Sequence, residues 1–154
     1  MKLSLAPFEN IPPLPEEDIK FYFDGGMDGY PLTMEDIEFF QSTEPAYDHV
    51  FWFATPSLLP FLIRKVIVEI NRCDSKGEVS TELDDMLDSF LFIIGGDYST
   101  LEYLPEITSK LSKEQRVITA EILQYVSVTE GFENRLRNQA DHALRHYWHE
   151  YVKT

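Results

Sequence analysis

The stretch TPSLLPFLIRKVIVEI, residues 55–70, decides the fold because its apolar side chains recur at the three- and four-residue spacing of a helix. Thr55 and Pro56 form a suitable start, since a proline in the first turn removes an N–H that has no helical partner there. The apolar positions are Leu58, Leu59, Leu62, Ile63, Val66, Ile67 and Ile70. The spacing predicts a buried helix, while the β-branched run at 66–68 leaves a strand as the alternative.

An apolar segment of this kind also suggests a transmembrane helix. The apolar region extends from Val50 to Ile70, which is long enough to cross a bilayer as a helix. Arg64, Lys65 and Glu69 interrupt it, and charged side chains are costly inside a bilayer. We therefore predict a core helix and expect no membrane partner.

Helix signals also lie on both sides of this segment. Thr33 precedes two acidic residues as an N-cap, and Ser112 with Gln115 has the pattern of a capping box. Residues 1–31 are rich in proline and glycine, which favours an irregular arm packed on the helices. After a short turn at Glu16–Phe23, the predicted helices begin near Thr33, Glu44, Thr55, Ser80, Ser112 and Phe132. Residues 71–79 are predicted to be a loop, and the last helix is predicted to reach residue 151. The result is an all-α fold, with residues 1–154 forming one domain of about six helices.

Composition indicates a globular protein of a reducing compartment. The chain has 154 residues, of which 44% are hydrophobic, enough to form one core. Cys73 is the only cysteine, so no intrachain disulfide and no multi-thiolate metal site can form. Residues 1–8 lack the basic start and apolar run of a secretory signal, so a cytoplasmic location is expected.

No motif in the sequence predicts catalysis. The glycine pairs at 25–26 and 95–96 match neither a dinucleotide-binding nor a phosphate-binding loop, and we interpret them as turns. Nothing in the sequence pairs Cys73 with the histidine that a thiol nucleophile needs. We therefore expect no enzymatic activity and no cofactor.

The charge is strongly negative and unevenly distributed. The formal net charge is −14, with an excess of nine acids over bases in residues 1–48 and of eight in residues 74–106. Such a field repels nucleic acid and attracts basic protein surfaces. The alternative interpretation is that the acidity only keeps the protein soluble.

Two acidic clusters and one aromatic side chain are the predicted partner-binding residues. Acids recur at helical spacing in both acidic segments, and Phe51-Trp52-Phe53 follows Phe39-Phe40 closely. A helix cannot bury all five aromatic rings on one side, so some of them must face another element or a partner. Aromatic side chains with an acidic rim are typical of a protein interface, although packing in the core is the alternative. The predicted partner-binding residues are Glu35, Asp36, Glu38, Trp52, Asp84, Asp85 and Asp88.

The last predicted helix holds three of the four histidines. His142, His146 and His149 are separated by four and three residues, which places them near one helix face. Neutral imidazoles at this spacing bind zinc and other transition metals. A metal site at these three histidines is therefore the alternative to an ordinary polar face.

Several segments resemble a group of uncharacterised bacterial helical proteins of similar length. The similarity covers residues 33–150 and follows an N-terminal proline-rich arm. Its segments are Phe51-Trp-Phe-Ala-Thr-Pro-Ser-Leu-Leu-Pro-Phe-Leu62, Leu111-Ser-Lys-Glu-Gln115, Ile122-Leu-Gln-Tyr125 and Ala143-Leu-Arg-His-Tyr-Trp148. These are packing and capping features, so the resemblance implies a helical fold and assigns no catalytic residue.

In size and charge the chain is similar to cytosolic immunity proteins, which neutralise a toxin by occluding its active site. This resemblance implies a basic protein partner, such as a cognate toxin or a nucleic-acid-acting enzyme. Our leading hypothesis is therefore an immunity-type inhibitor. The alternatives are a metal-binding protein or hydrolase that uses the C-terminal histidines, and a structural or housekeeping domain whose acidity serves only solubility.

Overall fold

The computed structural model describes residues 2–26, 29–46 and 48–153, with the backbone alone at residues 48, 49 and 53. Within these ranges there are seven α-helices and no strand, which confirms the predicted all-α fold. The helices are α1 (Glu16–Phe23), α2 (Met34–Phe40), α3 (Leu59–Lys76), α4 (Thr81–Leu91), α5 (Leu104–Ile107), α6 (Lys113–Val128) and α7 (Asn134–His146). Shorter 3-10 segments occupy Ala6–Phe8, Asp48–Phe53, Tyr98–Tyr103 and Trp148–Tyr151, and a π turn occupies Phe92–Gly96. None of the described helices combines the length and the apolar content that crossing a bilayer requires.

Helix α3 buries more side chains than any other described helix, begins at Leu59 instead of the predicted Thr55, and ends later than predicted. All of its predicted apolar positions are buried, and the strand alternative for residues 66–68 is wrong because they continue the helix. The predicted loop from residue 71 is also wrong at its start, because Cys73 is buried and keeps the apolar stripe going for another turn. The helix ends at Gly77, whose φ of 69° is the left-handed conformation that glycine adopts most easily.

Helices α6 and α7 pack against each other. The predicted capping box is confirmed, since the backbone N–H of Gln115 donates to the Ser112 hydroxyl and its side chain accepts from the Ser112 N–H. Helix α7 is shorter than the predicted 132–151. Tyr147 leaves helical geometry at φ −146°, and the following 3-10 segment turns Trp148 into the core.

The predicted helix at 44–54 is wrong in type, because Asp48–Phe53 is a 3-10 segment packed on α4. Thr55 then connects it to α3 and α1. Its hydroxyl accepts from the Leu58 N–H and donates to Asp18, and its own N–H donates to the Tyr22 hydroxyl. Tyr22 is fully buried, so this contact fixes α1 against the start of α3.

The N-terminal arm contacts two distant helices. Leu3 exchanges hydrogen bonds with the Asn71 side chain of α3 through both its backbone N–H and its carbonyl. The Gln115 amide of α6 donates to the carbonyl of Pro7 at 2.9 Å. Leu3, Phe8 and Leu14 are buried, so this segment forms part of the core.

Lys65 is a fully buried cation in the middle of α3. Its ammonium donates to the Glu44 carbonyl at 2.6 Å and the Ser42 hydroxyl at 3.2 Å, and it lies 4.6 Å from the centre of the Phe39 ring. These bonds attach the segment after α2 to the core. Burial, and secondarily the charge of Arg64, lowers the pKa of Lys65 to about 8.

We expect the free energy of unfolding to rise between about pH 8 and about pH 9.5. The unfolded chain holds the Lys65 proton up to the ordinary value of 10.5, whereas the folded chain releases it near pH 8. The unfolded state therefore binds more protons across this window, and raising the pH favours the folded state. Urea denaturation of the wild type and of Lys65→Met measures the effect, which the methionine variant should lack.

The two proteins are compared below pH 10, because above that pH the ionisation of Tyr22 lowers the free energy of unfolding. Burial raises the pKa of Tyr22 from 10.0 to about 12, so the unfolded chain loses that proton first and stability falls as the pH rises further. An identical pH dependence in the wild type and Lys65→Met would contradict the assignment to Lys65.

Candidate partner-binding groove

An apolar groove of about 470 Å³ lies where α1, the 3-10 segment at 48–53, the π turn and α5 meet. We call it the aromatic groove. Its lining consists of Phe21, Phe51, Trp52, Ala54, Thr55, Pro56, Ile93, Thr100, Tyr103, Glu106 and Ile107. The volume falls in the range of sites that accept a small molecule or the anchoring side chains of a protein partner.

Three aromatic side chains of this groove remain accessible to solvent. Phe21 is 38% exposed, Trp52 57% and Tyr103 60%. Phe21 is exposed because its neighbour Tyr22 faces the core, and adjacent helical residues point about 100° apart. A soluble surface rarely gathers large apolar side chains into one concavity without a binding role.

The floor of the groove is part of the hydrophobic core. Phe51 is buried and meets the Phe90 ring of α4 edge-on, with the ring centroids 6.0 Å apart. On the opposite wall, Ile93 belongs to the π turn, and the Thr100 hydroxyl donates to the Phe92 carbonyl at 2.7 Å. The walls are therefore fixed by the core and by hydrogen bonds.

Three acidic side chains lie in the aromatic groove or beside residues that line it. Glu106 is part of its lining, and the Asp18 carboxylate accepts a 2.7 Å hydrogen bond from the Thr55 hydroxyl at its edge. A hydrogen bond to Glu102 and the charge of that carboxylate raise the pKa of Tyr103. An apolar centre with an acidic rim suits a partner that presents an apolar side chain among basic ones.

A second concavity of about 450 Å³ adjoins the aromatic groove at Pro56, which lines both. Prolines of the arm and of α3 form much of its wall, together with Glu17 and Asp18 of α1. Helix α1 therefore separates two concavities and contributes acids to one and Phe21 to the other.

No family model, curated protein or solved structure matches this chain. The resemblances to bacterial helical proteins and to immunity proteins therefore stay predictions, and the function is argued from the residues of this chain.

The predicted acidic cluster on α2 lies outside the lining of the aromatic groove. Asp36 completes a capping box with Thr33, whose N–H donates to the carboxylate at 2.9 Å while the Asp36 N–H donates to the Thr33 hydroxyl at 3.1 Å. Glu35 and Glu38 are exposed. Asp36 thus has a structural role, and the other two remain free to interact with a partner by charge alone.

The predicted cluster on α4 also lies outside this lining. Asp88 forms an ion pair with Arg135 of α7, and Asp85 is exposed. Desolvation raises the pKa of Asp84, and the nearby carboxylates of Glu133 and Asp85 raise it further. This cluster faces the start of α7, so the structure does not bring it together with the α2 cluster or with Trp52 in one pocket.

Of the aromatic residues singled out in the sequence, Phe51 and Trp52 line the groove, and of these two Trp52 is the exposed one. Phe40 and Phe51 are buried, and Phe39 is half-buried beneath Lys65. The side chain of Phe53 lies outside the described residues. Packing in the core, which was the alternative interpretation of this aromatic run, therefore applies to most of these rings. Trp52 is the exception.

The structure brings together two of the three C-terminal histidines. The rings of His142 and His146 have centroids 4.3 Å apart, whereas His149 is exposed on the segment after α7. Among the described residues, no group of three or more His, Cys, Asp or Glu side chains is placed to hold a metal. The structure therefore does not bring all three histidines of the alternative metal-site interpretation together.

Sequence reasoning missed Phe21, Tyr103, Glu102 and Glu106. Phe21-Tyr22-Phe23 on an eight-residue helix cannot all face the core, and that argument, applied here to other aromatic runs, could have found Phe21. Tyr103 offered no such signal, because it lies outside the predicted helices, in a 3-10 segment that is followed by α5.

Proposed function

We propose that this chain is a binding protein that occludes a basic protein partner, in the manner of an immunity-type inhibitor, and that the partner docks on the aromatic groove. The observation that supports the proposal most is the clustering of three exposed aromatic side chains in one acidic-rimmed concavity. Buried aromatic anchors contribute most of the binding energy in protein interfaces, and the surrounding rim excludes water. Trp52, the largest of the exposed rings in the groove, is the proposed anchor.

The negative net charge also supports a basic partner. A field of −14 accelerates the approach of a basic surface and makes association depend on salt. Glu106 lines the groove and Glu102 is hydrogen-bonded to Tyr103 of its lining, while the exposed acids of α2 and α4 add to the long-range field. The acids therefore govern mainly the association rate, and Trp52 governs mainly the dissociation rate.

We expect Trp52→Ala to weaken binding of the partner by about 30-fold or more, the loss that a hot-spot tryptophan produces. The partner is captured from the source organism with the wild-type chain, and its affinity for purified variants is measured by biolayer interferometry. Tyr30→Ala is the matched control, because Tyr30 is 70% exposed and lies outside the lining of the groove. Its affinity should remain within about twofold of the wild type.

Two further readouts test the electrostatic and inhibitory parts. The association rate should fall steeply with added salt, and the double variant Glu102→Gln/Glu106→Gln should slow association more than it speeds dissociation. The captured partner's own activity should decrease when the groove is occupied. A neutral or acidic partner that binds equally well in high salt and to Trp52→Ala would contradict the proposal.

A further inference from the structure

His142 and His146 of α7 form a compact pair with Tyr98. The ring of His142 lies 4.4 Å from the ring of Tyr98, centroid to centroid, and the Tyr98 hydroxyl lies 3.3 Å from Nε2 of His146. With the two imidazoles 4.3 Å apart, three side chains with metal-binding atoms meet beside the π turn. None of them lines the aromatic groove.

The hydrogen bonding of His142 fixes which of its nitrogens can bind a ligand. Nδ1 lies 2.7 Å from the carbonyl oxygen of Gly95, and a carbonyl can only accept, so Nδ1 bears the proton. The lone pair of the neutral ring is then on Nε2. That atom is buried and has no hydrogen-bond partner among the described residues.

An imidazole held by a backbone carbonyl through one nitrogen, with the other nitrogen free, is the arrangement of metal-binding histidines. The carbonyl fixes the tautomer and the ring orientation and makes the free nitrogen a better ligand. A buried nitrogen without a hydrogen-bond partner is unfavourable unless a water or an ion occupies it. The orphaned Nε2 is therefore an observation, independent of the histidine spacing, that points to a ligand.

The surrounding charges are compatible with a cation. Arg145, the closest cation along the helix, is paired with Asp141 at 2.9 Å, which offsets its charge. Asp97 precedes Tyr98, and its carboxylate, which accepts hydrogen bonds from the backbone N–H and the hydroxyl of Ser99, adds a nearby negative charge. Tyr98 is 69% exposed, so its ring can move aside to admit an ion without disturbing the core.

We propose that His142 and His146 bind one divalent transition metal ion of the copper, nickel and zinc class, with Tyr98 at its side. Imidazole nitrogens suit these ions, and the Irving–Williams order makes Cu²⁺ the tightest of them. Two imidazoles leave coordination positions for water or for the Tyr98 oxygen. Both imidazoles belong to α7 and come together only when that helix is formed, so an ion that binds them stabilises the folded chain.

This site is independent of the partner-binding proposal. The test is titration of the untagged, chelator-treated protein with CuCl₂, NiCl₂ or ZnCl₂ by isothermal calorimetry, with the melting temperature measured in parallel. We expect one ion per chain, with affinity highest for Cu²⁺, and a melting temperature that rises with the concentration of the ion.

The variants His142→Asn and His146→Gln should each weaken binding at least tenfold. Asparagine retains a donor for the Gly95 carbonyl while removing Nε2, so His142→Asn is expected to stay folded, and circular dichroism checks this. His149→Gln is the matched control and should bind as the wild type does. Absence of one-to-one binding to the wild type, or an equal loss in His149→Gln, overturns the proposal whether or not a protein partner is found.

Discussion

Trp148→Ala is expected to lower the free energy of unfolding by about 4 kcal/mol, the loss typical of a deleted core aromatic. Trp148 is completely buried, and its indole N–H donates to the Ile94 carbonyl at 2.7 Å. Alanine leaves a large cavity between α7 and the π turn, and it leaves that carbonyl without its donor. Because a domain is stable by only about 5–15 kcal/mol, the variant should unfold at a much lower urea concentration.

The two contributions to this loss can be separated. Trp148→Phe keeps most of the apolar volume but removes the donor, so about 1–3 kcal/mol should be lost. Trp52→Ala is the matched control, because it makes the same substitution at an exposed position. We expect it to change the free energy of unfolding by less than about 1 kcal/mol. Equal losses for the two alanine variants would show that Trp148 does not have the structural role described here.

Gly96→Ala is expected to lower the free energy of unfolding by about 3 kcal/mol, because its methyl group would overlap the backbone. A Cβ at Gly96 would lie 2.5 Å from the Leu91 carbonyl oxygen and 3.1 Å from Cβ of Gln139. Neither atom belongs to the flexible end of a side chain, so the π turn or α7 must shift. Chemical denaturation of the variant measures the cost.

The matched control is Gly131→Ala, whose Cβ would meet only a Val79 methyl group at 3.3 Å. We expect it to cost less than about 1 kcal/mol. Gly96→Ala should also weaken partner binding, since the π turn places Ile93 in the aromatic groove. A Gly96→Ala variant as stable as the control would mean that the turn adapts freely.

Three helix starts could be predicted from the sequence because they depend on local hydrogen bonds, whereas α3 begins at Leu59 and not at the predicted Thr55. Thr33, Ser80 and Ser112 each cap the helix that follows through contacts three residues away. The ends of the helices were harder to predict. The extension of α3 to Lys76 and the break at Tyr147 depend on what Cys73 and Trp148 pack against, which is tertiary information.

The candidate site could be predicted only in part, for the same reason. Trp52 was found because the local aromatic run exceeds what one helix face can bury. Tyr103 and Phe21 come from distant parts of the chain, and only packing brings them beside Trp52. The acidic clusters lie on helices, α2 and α4, as their spacing predicted. Spacing along one helix, however, does not predict how far that helix lies from another.

The contact between Gln115 and Pro7 sets an order of events during synthesis. The two residues are 108 positions apart, so the N-terminal arm cannot reach its final place until α6 has left the ribosome. At a translation rate of roughly 5–20 residues per second, the interval is about 5–20 s. During that interval Phe8 and Leu14, both buried in the finished fold, are exposed in a nascent chain. The arm is rich in proline, which resists regular helix and strand, so its composition disfavours the strand pairing through which exposed segments self-associate.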